Sequence, residues 1–405
     1  MAGQDETGGC GKTGGLRLLA IMPRNRYVNA TEEEFFEALE SCAQVTFYGP
    51  GYLPSDDLRD DIRRVYDELG PFDAVLLHQY HYLDSVAAAA RECVFRFDAP
   101  AFLRSRPGFP GGIDDLPCPV ILFLLRMDYY AVDRHMADRI EAHSGYYLSW
   151  PAEFVPPKAE LQGLERERFA ASVTDCYREF AERNRHRLIP MMHVVGDRWF
   201  RVPDDGARTR DVAIPGAAYA ARIEAARALR RHGVRLGRNV DLLPWLNRGV
   251  RLATGRGLHA TDWGLDLLQR RFREQIAGSR ICYTDGSRLR WPVRKFFEIP
   301  ALGSALVAEP FANHEMLGFR DGENFVSATA DSLPETARAL LDDGRRLAAL
   351  TAAGQAMVRE RHGAAVRARQ VVGAIDAVVA GRFAGAHWRN GEYQVEMSAP
   401  ARSAP

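Results

Sequence analysis

The stretch ICYTDGSRLRWPVRKFFEIPALGSALVAEPFANHE, residues 281–315, decides how this chain folds. RICYT (280–284) is a short apolar run of the kind that forms a buried strand. Pro292 falls where a first helical turn tolerates proline, and Gly303 lies just past the other end, so residues 292–302 read as a helix. SALVAE (304–309) reads as the next strand. Strand, helix and strand in that order are the unit of a parallel sheet covered by helices. Within the helix, Lys295 and Glu298 are three apart and Arg294 and Glu298 four apart, so the three share one side. Phe296, Phe297, Ile299 and Leu302 supply its buried faces. Cations at a helix N-terminus add to its positive end, which is unfavourable unless an anion is present. A nucleotide diphosphate would be such an anion, and Glu298 can accept two hydrogen bonds from a ribose diol. A surface Arg–Glu pair worth about 0.3–0.5 kcal/mol accounts for the same spacing, and the residues alone leave both readings open.

The same alternation extends outward. DVAIPGAAYAAR (211–222) runs from a strand through a turn at Gly216 into a helix, with Arg222 one turn in. Such a turn aims backbone N–H groups at a cleft, although an ordinary βα turn with a solvated arginine reads the same way. Helices are expected at 332–341, 348–362 and 364–379. Towards the N-terminus, apolar runs at 16–22, 45–48, 72–77 and 120–125 read as strands. Helical segments at 57–69, 84–93 and 131–143 lie between or after them, and Thr31 with Glu34 reads as a capping box opening a further helix. The pattern predicts an α/β protein with two Rossmann-like domains facing each other. A polar tail (1–15) precedes an N-terminal domain (16–195) and a C-terminal domain (196–363), with the linker near 188–206. A crossover helix (364–382) packs back on the first domain, and a loose Gly/Ala-rich tail (383–405) follows.

Composition narrows the function classes. The chain has 405 residues, 46% hydrophobic and 26% charged, which is an ordinary globular balance. Its 53 cationic and 53 acidic side chains cancel, which argues against a nucleic-acid binder. No apolar stretch approaches the ~20 residues of a membrane span, and the N-terminus lacks a secretory apolar core, so a soluble cytoplasmic protein is expected. The six cysteines form no C-x-x-C pair, and neither a disulfide framework nor a zinc site is indicated. GCGKT (9–13) lacks the first glycine of a phosphate-binding P-loop, because position 6 is Glu6, and no strand precedes it. Only three cations are lysine (Lys12, Lys158 and Lys295), a bias typical of a GC-rich bacterial coding sequence.

KFFEIPALGSALVAEPFANHEMLGFRDGENFV (295–326) resembles the donor-binding half of GT-B glycosyltransferases. It is most similar to the family-4-like branch that includes the spore-maturation-type glycosyltransferase-like proteins. The likeness rests on Lys295 and Glu298, on E-x-x-A-x-G at Glu298, Ala301 and Gly303, and on Phe319, Asp321, Gly322 and Asn324. LIPMMHVVGDRWFRVP (188–203) is similar to the interdomain segment of that branch, DVAIPGAAYAAR to its first C-domain strand and turn, and His362 with Arg367 to its closing helix. The resemblance implies a hexosyl-type transferase that takes a nucleotide-sugar donor and a small-molecule or glycan acceptor. It implies no cofactor and no metal. Glu298 would hold the ribose and Lys295 and Arg222 the diphosphate. Arg294, Gly216, Tyr219 and the loop with Asn313, His314 and Glu315 are further donor contacts. One position departs: the family-4 glutamate eight residues before Glu298 is Arg290 here, so the resemblance carries neither the donor-sugar contact nor a retaining outcome. In a GC-rich bacterium, antibiotic-like natural products and surface glycans are the two settings for such an enzyme.

FDAVLLHQYHY (72–82) places His78 and His81 after a strand, at the end where parallel sheets bind ligands. Either histidine can serve as an acceptor base, as can Asp128 after the strand at 120–125. Polar residues that merely close a strand read identically. A non-catalytic nucleotide-sugar or glycan-binding protein on the same fold is the alternative, because fold does not fix function. A nicotinamide enzyme is disfavoured, since no G-x-G-x-x-G follows LRLLAIM.

Overall fold

A computed structural model describes residues 15–27, 30–54, 57–78, 93–95, 111–124, 134–142, 145–162, 175–200, 208–216, 220–236, 243–255, 257–258, 261–286 and 290–398. The first half contains β1 (Arg17–Ile21), β2 (Asn25–Tyr27), α1 (Thr31–Leu39), β3 (Gln44–Tyr48), α2 (Ile62–Leu69), β4 (Ala74–His78) and β5 (Cys93–Phe95). It continues with β6 (Val120–Phe123), α3 (Arg134–Ala142), β7 (Tyr146–Ser149), α4 (Lys158–Gln162), α5 (Cys176–Arg183) and β8 (Leu188–Pro190). Six strands form one sheet in the order β3-β1-β4-β6-β7-β8, every pair parallel. Leu18, Leu19 and Ala20 of β1 and Ala74 and Val75 of β4 have no exposed surface, which is why these strands read as unbroken apolar runs. The strand order reverses between β1 and β4, and the crevice beyond that point is where open α/β sheets bind ligands.

The second half follows the same plan. It contains β9 (Arg210–Ala213), α6 (Ala220–Arg231), α7 (Leu243–Thr254), α8 (Asp262–Ala277), β10 (Ser279–Thr284), α9 (Lys295–Ala301), β11 (Ala305–Ala308) and β12 (Val326–Ser327). Then come α10 (Leu333–Asp342), α11 (Gly344–His362), α12 (Ala364–Val379), β13 (Phe383–Arg389) and β14 (Glu392–Met397). The sheet runs β12-β11-β10-β9, all parallel, and Leu236 adds a parallel bridge to Val212 on the outer side of β9. The segment that follows α6 therefore lies outside β9, and the order reverses between β9 and β10. The two α/β halves expected from the sequence are both present.

α12 packs back on the first half. Val371, Ala374, Ile375 and Val378 join Leu18, Phe35, Phe36 and Leu76 in one buried cluster. The turn into this helix is fixed by polar groups: Ala364 N–H donates to Val195 O at 2.9 Å, His362 Nε2 meets Leu317 O at 2.7 Å, and Arg367 Nη2 donates to His362 Nδ1 at 2.8 Å. Burial and the adjacent Arg367 push the His362 pKa down to about 3, so the ring is neutral, as this hydrogen-bond pattern needs. The expected His-x-x-x-x-Arg pair is thus a structural clasp.

Three sequence expectations are corrected. Residues 383–397 form a hairpin rather than a loose tail; Asn390 (φ 53°) and Gly391 (φ 84°) make its turn, and Trp388 is buried against Phe154 and Tyr393. Asn-Gly between alternating residues is a strong hairpin signal, masked in the sequence by the Gly and Ala around it. Thr31 and Glu34 do not form a capping box, because Ala30 is the N-cap and the two side chains bond to partners far along the chain, Thr31 to His193 and Glu34 to the segment around Gly196. α7 and α8 occupy a region to which the sequence assigned no element. The GCGKT loop and the helix expected at 84–93 lie outside the described residues, apart from Cys93, which opens β5. Because Ile375 is fully buried beneath the first sheet, Ile375→Ala is expected to lower stability by about 2–5 kcal/mol. Urea unfolding measures this, and a loss below ~1 kcal/mol would show that α12 does not belong to that core.

Candidate functional site

The switch point of the second sheet gathers Gly216, Arg222, Lys295 and Glu298, four of the residues singled out from the sequence. β9 ends at Ala213, and three residues later Gly216 takes a positive φ of 95°. A β-carbon there would lie 2.5 Å from Lys295 Cε, 3.1 Å from Lys295 Nζ and 3.5 Å from Arg222 Nη1. The conformation disfavours an L side chain at this position, and a β-carbon would displace the end of the Lys295 side chain. Lys295 comes from the first residue of α9 and Arg222 from the first turn of α6, so two cations from different elements converge over one bare α-carbon.

Arg222 is fixed by Asp285, the residue after β10. Its Nε and Nη2 lie 2.8 and 2.6 Å from Asp285 Oδ1, and both side chains are buried. Nη1 is the guanidinium nitrogen on the Gly216 side. Among the described residues, none accepts a hydrogen bond from the Lys295 ammonium. Burial and the neighbouring Arg222 push its pKa down to about 8, against the pull of Glu298 and Asp285. A partly desolvated cation held beside another cation is a site prepared for an anion.

Glu298, one turn further along α9, is buried and meets Arg294 Nε at 3.3 Å. Burial raises its pKa, opposed by Arg294 and Lys295. Arg294 also serves the junction between the halves: Nε donates to Val194 O at 3.2 Å, Nη2 pairs with Glu34, and the guanidinium lies 5.1 Å from the Trp199 ring centre. Glu34 explains the failed capping box. Its carboxylate, 1% exposed, accepts from Gly196 N–H at 2.8 Å, Trp199 Nε1 at 2.7 Å and Arg198 Nε at 2.8 Å as well as from Arg294. One α1 carboxylate thus ties the first half to the connecting segment and to the start of α9.

On the opposite side, His78 ends β4 at the first switch point. It is buried, stacks on Phe123 with ring centres 5.5 Å apart, and places Nε2 3.2 Å from Glu32 Oε1. Thr31 Oγ1 meets His193 Nδ1 at 2.9 Å, and Trp150 stacks on Trp291 with centres 3.9 Å apart. Asn313, with φ 56°, donates from Nδ2 to Glu153 O at 2.7 Å and so bridges the halves; His314 is half-buried with Nδ1 3.2 Å from Phe311 O, and Glu315 is exposed. Tyr219, His81 and Asp128 lie outside the described residues. Asp285, Glu32, Glu34, His193 and the two tryptophans were not found from the sequence. Only Asp285, in Thr-Asp-Gly directly after a strand, carried a local signal.

Because Glu34 is buried among cationic and N–H donors, removing it strands Arg294. Glu34→Ala is expected to destabilise the protein by about 3–5 kcal/mol, read by urea unfolding. A neutral result would mean that the junction does not rest on this carboxylate.

Residues 232–373 match a sequence family described as "Glycosyl transferase-like". No curated protein matches. Among solved structures, a glycosyltransferase from Rickettsia africae shares 10% identity, with a TM-score of 0.53 over 90% of this chain and 99% of that one. The Anabaena protein Alr3699/HepE, solved with UDP-glucose, shares 12% identity, with a TM-score of 0.45 over 90% and 100%. Sucrose-phosphate synthase from Thermosynechococcus elongatus shares 11%, with a TM-score of 0.47 over 90% and 100%. The likeness to the Rickettsia structure is one of fold, and with the two facing parallel sheets it identifies the architecture as GT-B, two Rossmann-like domains with the last long helix returned to the first.

Proposed function

We propose that this protein is a glycosyltransferase that moves a sugar from a nucleotide-activated donor to an acceptor hydroxyl, with the donor diphosphate held at Gly216. The observation that carries the reading is the convergence of Lys295 and Arg222 over that glycine at the β9/β10 switch point. The family match over residues 232–373 covers the same half of the chain and supports it. As the bond from the anomeric carbon to the leaving oxygen breaks, negative charge grows on the diphosphate. Lys295 and Arg222 Nη1 then bind more strongly than in the ground state, and that difference is what lowers the barrier. Asp285 keeps Arg222 oriented, so little reorganisation accompanies the reaction. Glu298 takes the ribose hydroxyls, with Arg294 behind it. Fixed cations supply the countercharge here, and this is the basis for proposing a transfer that needs no metal. The N-terminal half presents the acceptor, with His78, His81 and Asp128 as the groups from which a base would come. A specialised metabolite or a surface glycan in a bacterial cytoplasm is the setting proposed.

Arg290 favours a second reading. It stands where family-4 enzymes have a glutamate, its φ is 48° and its side chain is exposed, so the residues alone also fit a protein that binds nucleotide sugars without turnover. Incubation with labelled UDP-, GDP- and dTDP-sugars separates the readings, since transfer or slow donor hydrolysis supports the enzyme and binding without turnover supports the binder.

Glu298→Ala is expected to weaken donor binding by about 10–100-fold while thermal unfolding stays cooperative, because a ribose diol would lose two hydrogen bonds to a carboxylate. Native donor affinity in that variant would remove the ribose assignment.

The Lys295 pKa sets a pH dependence. A bound diphosphate favours the ammonium, so above pH about 8 binding must take up a proton. UDP affinity is therefore expected to be flat below that pH and to fall towards tenfold per unit above it, with Lys295→Met removing the inflection and lowering turnover. The sign in folding is opposite: the folded lysine releases its proton before the unfolded one, so stability rises with pH between about 8 and the ordinary 10.5. An affinity that rises through pH 8 would contradict the assignment.

A further inference from the structure

The α7–α8 pair carries features that the Gly216 site does not use. α7 is seated by Asn247, whose Oδ1 accepts from Leu258 N–H at 2.8 Å, and by half-buried Val250. These residues are three apart and lie on one side of the helix. Trp245 and Leu252, seven apart on the far side, are 70% and 81% exposed, and Leu246 flanks them at 40%. Arg248 and Arg251 are exposed beside them, and α7 contains no Asp or Glu. Asp262 and Asp266, which begin α8, pair with Arg26 of β2 at 3.0 and 2.6 Å. These pairs hold α8 beside the carboxyl edge of the first sheet, and the Asn247–Leu258 bond holds α7 to the segment that leads into α8.

We infer that α7 is an interfacial helix that seats this protein on an anionic lipid surface. Trp245, Leu246 and Leu252 enter the boundary between headgroups and acyl chains, and Arg248 and Arg251 pair with lipid phosphates. A tryptophan and two leucines open to water are an unfavourable surface unless something apolar covers them. The cover must also accept two cations with no carboxylate of this helix among them. A film of anionic headgroups over hydrocarbon meets both demands without a shaped groove, and an acid-free helix with Trp and Leu on one side and Arg on the other is the arrangement such a film binds. Among the described residues no helix is long and apolar enough to cross a membrane, so this attachment lies on the surface. It places the cleft next to the membrane, and it stands independently of whether the cleft transfers sugar.

Co-flotation of the full chain with vesicles tests the inference. Capture by vesicles containing phosphatidylglycerol, little capture by pure phosphatidylcholine and release at high salt are expected. Arg248→Gln with Arg251→Gln is expected to weaken capture about tenfold or more. Trp245→Ser with Leu252→Ser is expected to abolish capture without lowering the thermal midpoint, since both side chains are solvent-facing. UDP binding by these variants is expected to stay native, which keeps the lipid face distinct from the cleft. No capture of the native chain by anionic vesicles, or equal capture of all variants, overturns the proposal. A concentration-dependent dimer in ultracentrifugation that Trp245→Ser/Leu252→Ser dissolves also overturns it and assigns the face to a second copy.

Discussion

Two positive charges held against each other over a glycine are the constraint around which this molecule is organised. Burial and the neighbouring Arg222 disfavour the charged form of Lys295, so holding that cation there costs free energy. Three features keep them there: the positive φ of Gly216, the Asp285 grip on Arg222, and the position of Lys295 at the head of a helix whose Phe296 and Phe297 are locked in the core. An arrangement that is unfavourable without an anion and rigid in its absence is suited to stabilising charge that appears only as a bond breaks.

The second organising contact is Glu34. A buried carboxylate is costly unless it is surrounded by donors, and this one collects them from both halves of the chain and from the segment between them. Through Arg294 it touches the same helix that carries Lys295 and Glu298, so the relative placement of the halves and the geometry of the anion site share a common support. α12 adds an apolar counterpart, since a helix that follows the second half closes the core of the first. Phe154 against Phe311, and Trp150 against Trp291, continue that contact along the cleft.

The sequence conveyed the architecture because parallel strands buried on both faces leave continuous apolar runs, and because helices between them keep their punctuation. RICYT, SALVAE and the turn at Gly216 each appear where the pattern puts them. That Lys295 and Glu298 share one side of a single helix was legible from their spacing. The Asn390–Gly391 hairpin was legible in principle, yet the composition around it pointed to a loose tail. α7 escaped because its apolar residues face outward, and periodicity says that a stripe exists without saying what it meets.

What the chain determined by itself was therefore local: which segments become strands and helices, that their alternation makes two parallel sheets, and that one short helix carries a lysine and a glutamate on one side. What only the tertiary structure decided was partnership across long separations. Arg294 acquired Glu34, a partner 260 positions away, and with it a place in the junction. Glu34 looked like a cap and became a junction, His78 acquired Glu32, and Asp285 emerged as the residue that aims Arg222. Spacing within one element fixes which side chains are neighbours there, but the charges that decide whether a buried ion is ligand, clamp or base arrive from elsewhere in the chain, and no local pattern encodes them.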